Sequence, residues 1–196
     1  MKDAIDHWTK ADPVLADLAR STDIPRRLER EADAFTSLVR SIVHQQVSLA
    51  AGTTIFGRVA EATGPTPDGV LAAGEVRLRA AGLSRAKVGY ILDLAARVAD
   101  GSLDLAALAE LDDDAATAAL TQVRGIGAWS AKMHLIFHMG RPDVCPWEDL
   151  GVRLAVERFY GVPMPDTTKW LKAQQAKWSP FNSLAARVLW AARREP

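Results

Sequence analysis

Apolar residues recur along this chain at spacings of three and four, the period of a helix with one buried face. Phe35, Leu38, Val39, Ile42 and Val43 stand at i, i+3, i+4, i+7 and i+8, which predicts a helix packed on that face. Asp12-Pro13 is a cap followed by a first-turn proline, opening a helix that carries Val14, Leu15 and Leu18. A further apolar helix is predicted from near Ser48 to the turn-rich "TGPTPDG". Ser84 caps another through Ile91, Leu92 and Ala95, closed by Asp100-Gly101. "LDDDAATAALTQV" places acids where a helix dipole favours them. Later helices are predicted over Trp129 to Met139, Leu150 to Tyr160, about Thr168 to Ala176, and Pro180 to Arg193. No alternating strand pattern and no repeat period is visible, so the expected fold class is all-α.

Composition adds little to this picture, but charge adds something. Apolar residues make up 48% and charged residues 24% of the 196, ordinary values for a globular chain. No apolar run approaches the roughly 20 residues that span a bilayer. The start, "MKDAIDHWTKADP", lacks an apolar signal core, so cytoplasmic residence is expected. The single Cys145 excludes an intrachain disulfide and a cysteine-built metal or iron–sulfur cage. Net charge is zero, yet residues 1–114 hold 13 Lys+Arg against 18 Asp+Glu, and residues 115–196 hold 11 against 6. The basic second part hints at a polyanionic partner.

Two segments carry candidate chemistry. In "VRGIGAWSAKM", Gly125 and Gly127 precede a helix. The turn has a plain structural use, because glycine supplies positive φ between two helices. It has a functional use as well: bare N–H groups at a helix start, aided by the dipole, receive a phosphate, with Arg124 and Lys132 adding charge. In "CPWEDLGVRLAV", Asp149 stands where a helix begins, the place of an N-cap. An ionised carboxylate facing a pocket is also what an oxocarbenium-like sugar needs when an N-glycosidic bond breaks. Spacing alone does not choose between these uses. A non-catalytic DNA-binding module and a protein-interaction helical domain are the rival classes.

Taken together, the segments resemble the helix–hairpin–helix DNA glycosylases, specifically the 3-methyladenine DNA glycosylase II family. The family hairpin typically reads Leu-Pro-Gly-Ile-Gly-x-Trp-Thr-Ala, matched by "VRGIGAWSA". Its catalytic segment reads roughly Arg-Pro-Asp-Val-Phe-Pro-x-Asp-Asp-Leu-Gly, matched by "RPDVCPWEDLG". "FTSLVRSIVHQQVSLAAGTTI", "GLSRAKVGYILDLAARVADGSLDL" and "WSPFNSLAARVLW" are similar to other family segments, so the resemblance runs from "ADPVLADLA" to Trp190.

The resemblance implies a role for each matched position. Asp149 is matched to the catalytic aspartate and Glu148 to its acidic neighbour. Gly125, Gly127 and Ser130 are matched to amides that bind a DNA phosphate, with Arg124 and Lys132 beside them. The carbonyls of Thr121, Val123 and Ile126 are matched to ligands of a Na⁺ or K⁺ ion at the hairpin; no organic cofactor is implied. Gln45 and Gln46 are matched to the turn that fills the gap left by a flipped nucleotide. Trp129, with Met133, Trp147 and Phe35, is expected to line the base pocket.

The chain departs from the family pattern in places. Arg124 replaces the usual hairpin proline, His44 a common glycine, Gln46 the leucine of well-known relatives, and Met133 a pocket tyrosine. Trp129 stands where strand-cutting relatives carry lysine, so the amine nucleophile is missing. The expectation is therefore a monofunctional, monomeric DNA glycosylase that flips and excises alkylated bases such as 3-methyladenine and 7-methylguanine from double-stranded DNA, with no membrane partner. Its expected organisation is a single domain of two lobes, one of residues about 33–148 and one of about 1–32 plus 149–196, with a DNA-facing cleft between them.

Overall fold

A computed structural model of the chain describes residues 1–24 and 33–194. In chain order its helices are α1 (Lys2–Ala11), α2 (Pro13–Ser21), α3 (Ala34–His44) and α4 (Leu49–Thr63). They continue as α5 (Pro67–Ala80), α6 (Arg85–Ala99), α7 (Asp113–Thr121) and α8 (Ala128–His134). The last are α9 (Leu150–Tyr160), α10 (Thr167–Trp178) and α11 (Asn182–Arg194). No strand occurs among the described residues, and the all-α expectation holds.

Local chemistry explains where most of these helices begin. Asp12, Asp33, Ser48, Ser84 and Asp112 each accept an N–H from the first turn, at Leu15, Thr36, Ala51, Lys87 and Ala115. Each satisfies one donor that a helix start leaves without an intrahelical partner. Two helices were not foreseen. In α1 only Ala4 and Trp8 are buried, so its apolar stripe is thin beside its charges. In α5, Thr66 and Pro67 form a cap and first-turn proline inside what reads as a turn. Gly74, at φ 63° and ψ −174°, then breaks the helix and blurs its period. The helix expected over Trp129 to Met139 is α-helical only to His134 and widens into a π turn over Leu135–Met139.

Packing divides the chain into two units. The terminal unit holds residues 1–24 and 135–194, and the central unit residues 33–134. The division falls at Leu135, whereas the sequence places the lobe boundary near 148.

Within the terminal unit, Trp8, Leu15, Val152, Val156, Leu171 and Trp178 build one apolar core. Asp12 lies buried at its edge. Besides capping α2, it accepts the Tyr160 hydroxyl (2.9 Å) and the Trp178 indole N–H (2.7 Å). In the central unit α3 packs on α4, α6 and α8, α5 on α4 and α6, and α7 on α8. Leu38, Ile42, Val59, Leu78, Ile91 and Leu120 are fully buried there.

Candidate functional site

The central unit carries the hairpin. Between α7 and α8 the chain turns through Gly125 and Gly127, and the two glycines have different causes. Gly125 has φ +83°, and a Cβ there would strike the ring of Tyr90 on α6. The fold itself therefore requires glycine at 125. Gly127 is not held at positive φ, and a Cβ there would meet nothing within 4 Å. Its open side lies at the start of α8, where N–H groups lack intrahelical partners.

One other loop of the central unit, the turn between α3 and α4, meets this one. Gln45 Nε2 donates to the carbonyl of Gly125 at 2.9 Å, joining the end of α3 to the hairpin. Gln46, exposed at φ 55°, turns the chain toward α4. Ser41, His44, Gln45, Gln46, Gly125, Trp129 and Ser130 surround an open hollow of about 400 Å³. Trp129 is 43% exposed, unusual for a tryptophan on a helix packed against its neighbours. The His44 imidazole donates through Nδ1 to the Arg40 carbonyl (2.9 Å) and lies against Gly52.

The backbone of Arg124 donates to Asp93 Oδ2 on α6 at 2.9 Å. The guanidinium Nε of Arg124 sits 3.5 Å from Asp93 Oδ1, and Arg97 Nε lies 3.1 Å from Oδ2. Partial burial pushes the Asp93 carboxyl up. The Arg124 N–H and the Arg97 and Arg124 charges outweigh that and hold it below the usual carboxylate range. The Val123 carbonyl accepts from Ile126 N (3.1 Å), and Thr121 ends α7, where helix carbonyls lack intrahelical donors.

The terminal unit carries the carboxylate. Asp149 caps α9: its Oδ1 accepts Val152 N–H at 2.8 Å. The same oxygen accepts the indole N–H of Trp190, on α11, at 2.7 Å. Asp149 is 8% exposed. Gly151 makes the approach possible, since a Cβ there would lie 3.0–3.1 Å from the Trp190 ring and from Asp149 Oδ1. Trp190 in turn stacks on Phe137 at 5.5 Å between centroids. The loop before Asp149 is stitched to the start of α11. Asp143 accepts from Ser179 Oγ (2.6 Å) and Asn182 Nδ2 (2.6 Å), and Ser183 Oγ donates to the Arg141 carbonyl (2.6 Å) and accepts Val144 N–H (3.0 Å).

The expected site residues thus fall in two groups. Gln45, Gln46, Arg124, Gly125, Gly127, Trp129 and Ser130 come together in the central unit, with Met133 half-buried one helix turn beyond Trp129. Asp149, half-buried Glu148 and Trp147 belong to the terminal unit. Trp147 packs against the core there, with the Lys172 ammonium 5.0 Å from its ring centroid.

Two expectations are corrected. Phe35 is 2% exposed at the start of α3, ten residues and about 15 Å of helix from the Gln45 end. It faces Pro67, Val98 and Leu103 rather than the hollow beside Trp129. Lys132 is 5% exposed, so it is not on the surface that a phosphate would approach, while the Arg124 side chain is 68% exposed.

Sequence reading missed Trp190, Gly151, Lys87 and Asp93. A glycine in the first turn of α9 was a usable signal, because nothing in helix propensity favours it there. Long-range partners such as Trp190 gave none.

Comparison with known proteins fits this geometry. Residues 39–180 match the model of the HhH-GPD superfamily base excision DNA repair proteins. The crystal structure of a DNA-3-methyladenine glycosidase from Bacillus halodurans is 30% identical, with a TM-score of 0.87 over 98% of this chain and 89% of that one. A Schizosaccharomyces pombe 3-methyladenine DNA glycosylase, solved in complex with abasic DNA, is 26% identical. Its TM-score is 0.79 over 96% of this chain and 95% of that one. DNA-3-methyladenine glycosylase 1 of Schizosaccharomyces pombe is 29% identical over 171 residues, 85% of this chain and 75% of that protein.

Proposed function

Because the chain belongs to the HhH-GPD superfamily of base excision DNA repair proteins, we propose that it is a monofunctional DNA glycosylase acting on alkylated bases in double-stranded DNA. The observation that carries the reading is Asp149: a buried carboxylate whose Oδ1 is fixed by two N–H donors, Val152 and Trp190.

Positively charged bases such as 3-methyladenine and 7-methylguanine are good leaving groups. As the C1′–N bond breaks, its electron pair leaves with the base and C1′ takes on oxocarbenium character. A preorganised negative charge lowers the energy of that cation without reorganising at the moment of reaction. Water adds its oxygen to C1′ and releases a proton to solvent. Glu148 is the supporting acid beside it.

The base must first leave the stack, at a cost of a few kcal/mol. Trp129 supplies an exposed π-face for a cationic base, with Met133 as a further pocket residue. Gln45 and Gln46 enter the minor groove, and the amides after Gly125 and Gly127 hold a phosphate, with Arg124 adding charge. The carbonyls of Thr121, Val123 and Ile126 form a hard oxygen set that would hold a Na⁺ or K⁺ ion and add positive charge toward that phosphate. The protein acts as a monomer and requires no organic cofactor.

Incubation with methylated duplex tests the proposal. Released 3-methyladenine or 7-methylguanine, intact strands and no borohydride-trapped crosslink are the expected results. Absence of base release from a folded protein that binds the duplex would leave a binding module instead.

A further inference from the structure

We propose that α6 is the positioning element of this site, one face of it clamping both loops that the glycosylase reading assigns to DNA, with Asp93 fixing the hairpin through the backbone of Arg124. The proposal rests on that reading for its DNA partner, and on the geometry of the central unit for the clamp itself.

Lys87, Tyr90, Asp93 and Arg97 are spaced three, three and four apart, which lays them along one side of α6. Lys87 Nζ donates to the carbonyls of Val43 (2.7 Å) and Gln45 (2.6 Å). These end α3, where helix carbonyls have no partner of their own, so the ammonium closes the helix and sets the start of the Gln45–Gln46 turn. The Tyr90 ring fills the space that a Cβ on Gly125 would need, so it packs directly against the hairpin. Asp93 takes the Arg124 N–H, and Arg97 braces Asp93. Gln45 Nε2 closes the circuit by donating to the Gly125 carbonyl. Both loops are thus referred to a single rigid helix.

The Asp93 contact uses a donor that the family's usual hairpin residue lacks. A hairpin proline, the family's usual residue, has no N–H to give and fixes its own φ. Arg124 has a free φ and a donor, and Asp93 restrains both. Electrostatics alone would disfavour the arrangement, because a carboxylate beside a phosphate-binding turn repels the phosphate. The two roles therefore predict opposite signs. If Asp93 positions the hairpin, its loss weakens DNA binding. If it is only a nearby negative charge, its loss strengthens binding.

Fluorescence anisotropy with a labelled duplex bearing an abasic-site analogue, at fixed salt, reads the sign. Asp93→Ala is expected to weaken binding about tenfold, the usual scale for a lost bond to a charged group. Asp93→Asn should fall between, since its amide oxygen still accepts the Arg124 N–H. In an Arg124→Pro background, Asp93→Ala should no longer weaken binding. Equal or tighter binding by a folded Asp93→Ala protein in the wild-type background overturns the proposal. Amide hydrogen exchange at Gly125 and Ile126, without DNA, separates the two readings. Exchange should accelerate in Asp93→Ala whether or not the protein binds DNA, and unchanged exchange overturns the clamp. A wild-type protein that fails to bind duplex refutes the glycosylase reading and leaves the exchange result to judge the clamp.

Discussion

The indole N–H of Trp190 and the backbone N–H of Val152 converge on one oxygen, Asp149 Oδ1, at 2.7 and 2.8 Å. A single carboxylate oxygen therefore starts α9 and ties it to α11, forty-one residues on. The capping role and the proposed catalytic role of Asp149 are not alternatives, since the cap holds the carboxylate in place.

Asp149→Asn separates charge from geometry. An asparagine carbonyl oxygen can accept both N–H bonds, so the thermal midpoint should stay close to wild type. Single-turnover release of 7-methylguanine should fall on the order of 10² to 10³, the usual cost of removing one preorganised electrostatic group. A folded variant with wild-type excision would refute the mechanism.

Trp190→Phe keeps the aromatic stack on Phe137 and deletes the N–H. Excision should drop while duplex affinity holds, because the loss is felt at Asp149 and not at the hairpin. Gly151→Ala should act on the same pair by wedging a methyl between Trp190 and Asp149. The two variants combined should cost less than the sum of each alone. Full additivity would mean that Gly151 and Trp190 act independently.

The two hairpin glycines should respond in opposite ways. Gly125→Ala meets both a left-handed backbone and the Tyr90 ring, and should cost on the order of 2 kcal/mol or more in stability. Gly127→Ala has open space and should leave the melting curve in place while weakening binding to damaged and undamaged duplex alike. Calorimetry and a binding titration on both proteins check the contrast.

Stability should decline in alkali through Tyr160. Burial first, then the Asp12 charge and the hydroxyl's bond to Asp12, raise the Tyr160 pKa above its ordinary value. A raised folded-state pKa contributes stability that is complete below the unfolded value of about 10 and is lost as pH rises above it. The melting temperature should therefore fall above about pH 10, and Tyr160→Phe should flatten that fall. An unchanged slope in the variant would place the alkaline sensitivity elsewhere.

Much of this protein is written in short-range pattern. The 3.6-residue period at Phe35 to Val43, the caps at Asp12, Ser48 and Ser84, and the Asp100-Gly101 that closes α6 are local signals, so the helices they define were readable. The Asp149 and hairpin segments stood out as candidates for the same reason, each being a contiguous run within ten residues, while spacing alone left their use open and the family resemblance supplied the proposed roles.

Tertiary structure alone decided which side chains face inward and which distant residues meet. Phe35 and Lys132 share a helix with, or lie near, candidate site residues, and only packing turned both into the interior. Trp190, Gly151, Asp93 and Lys87 matter through partners 31 to 44 residues away, or through a Cβ that would not fit. Hydrogen bonds and steric exclusion act over a few ångströms in space, and sequence distance carries no information about that separation until the chain has folded.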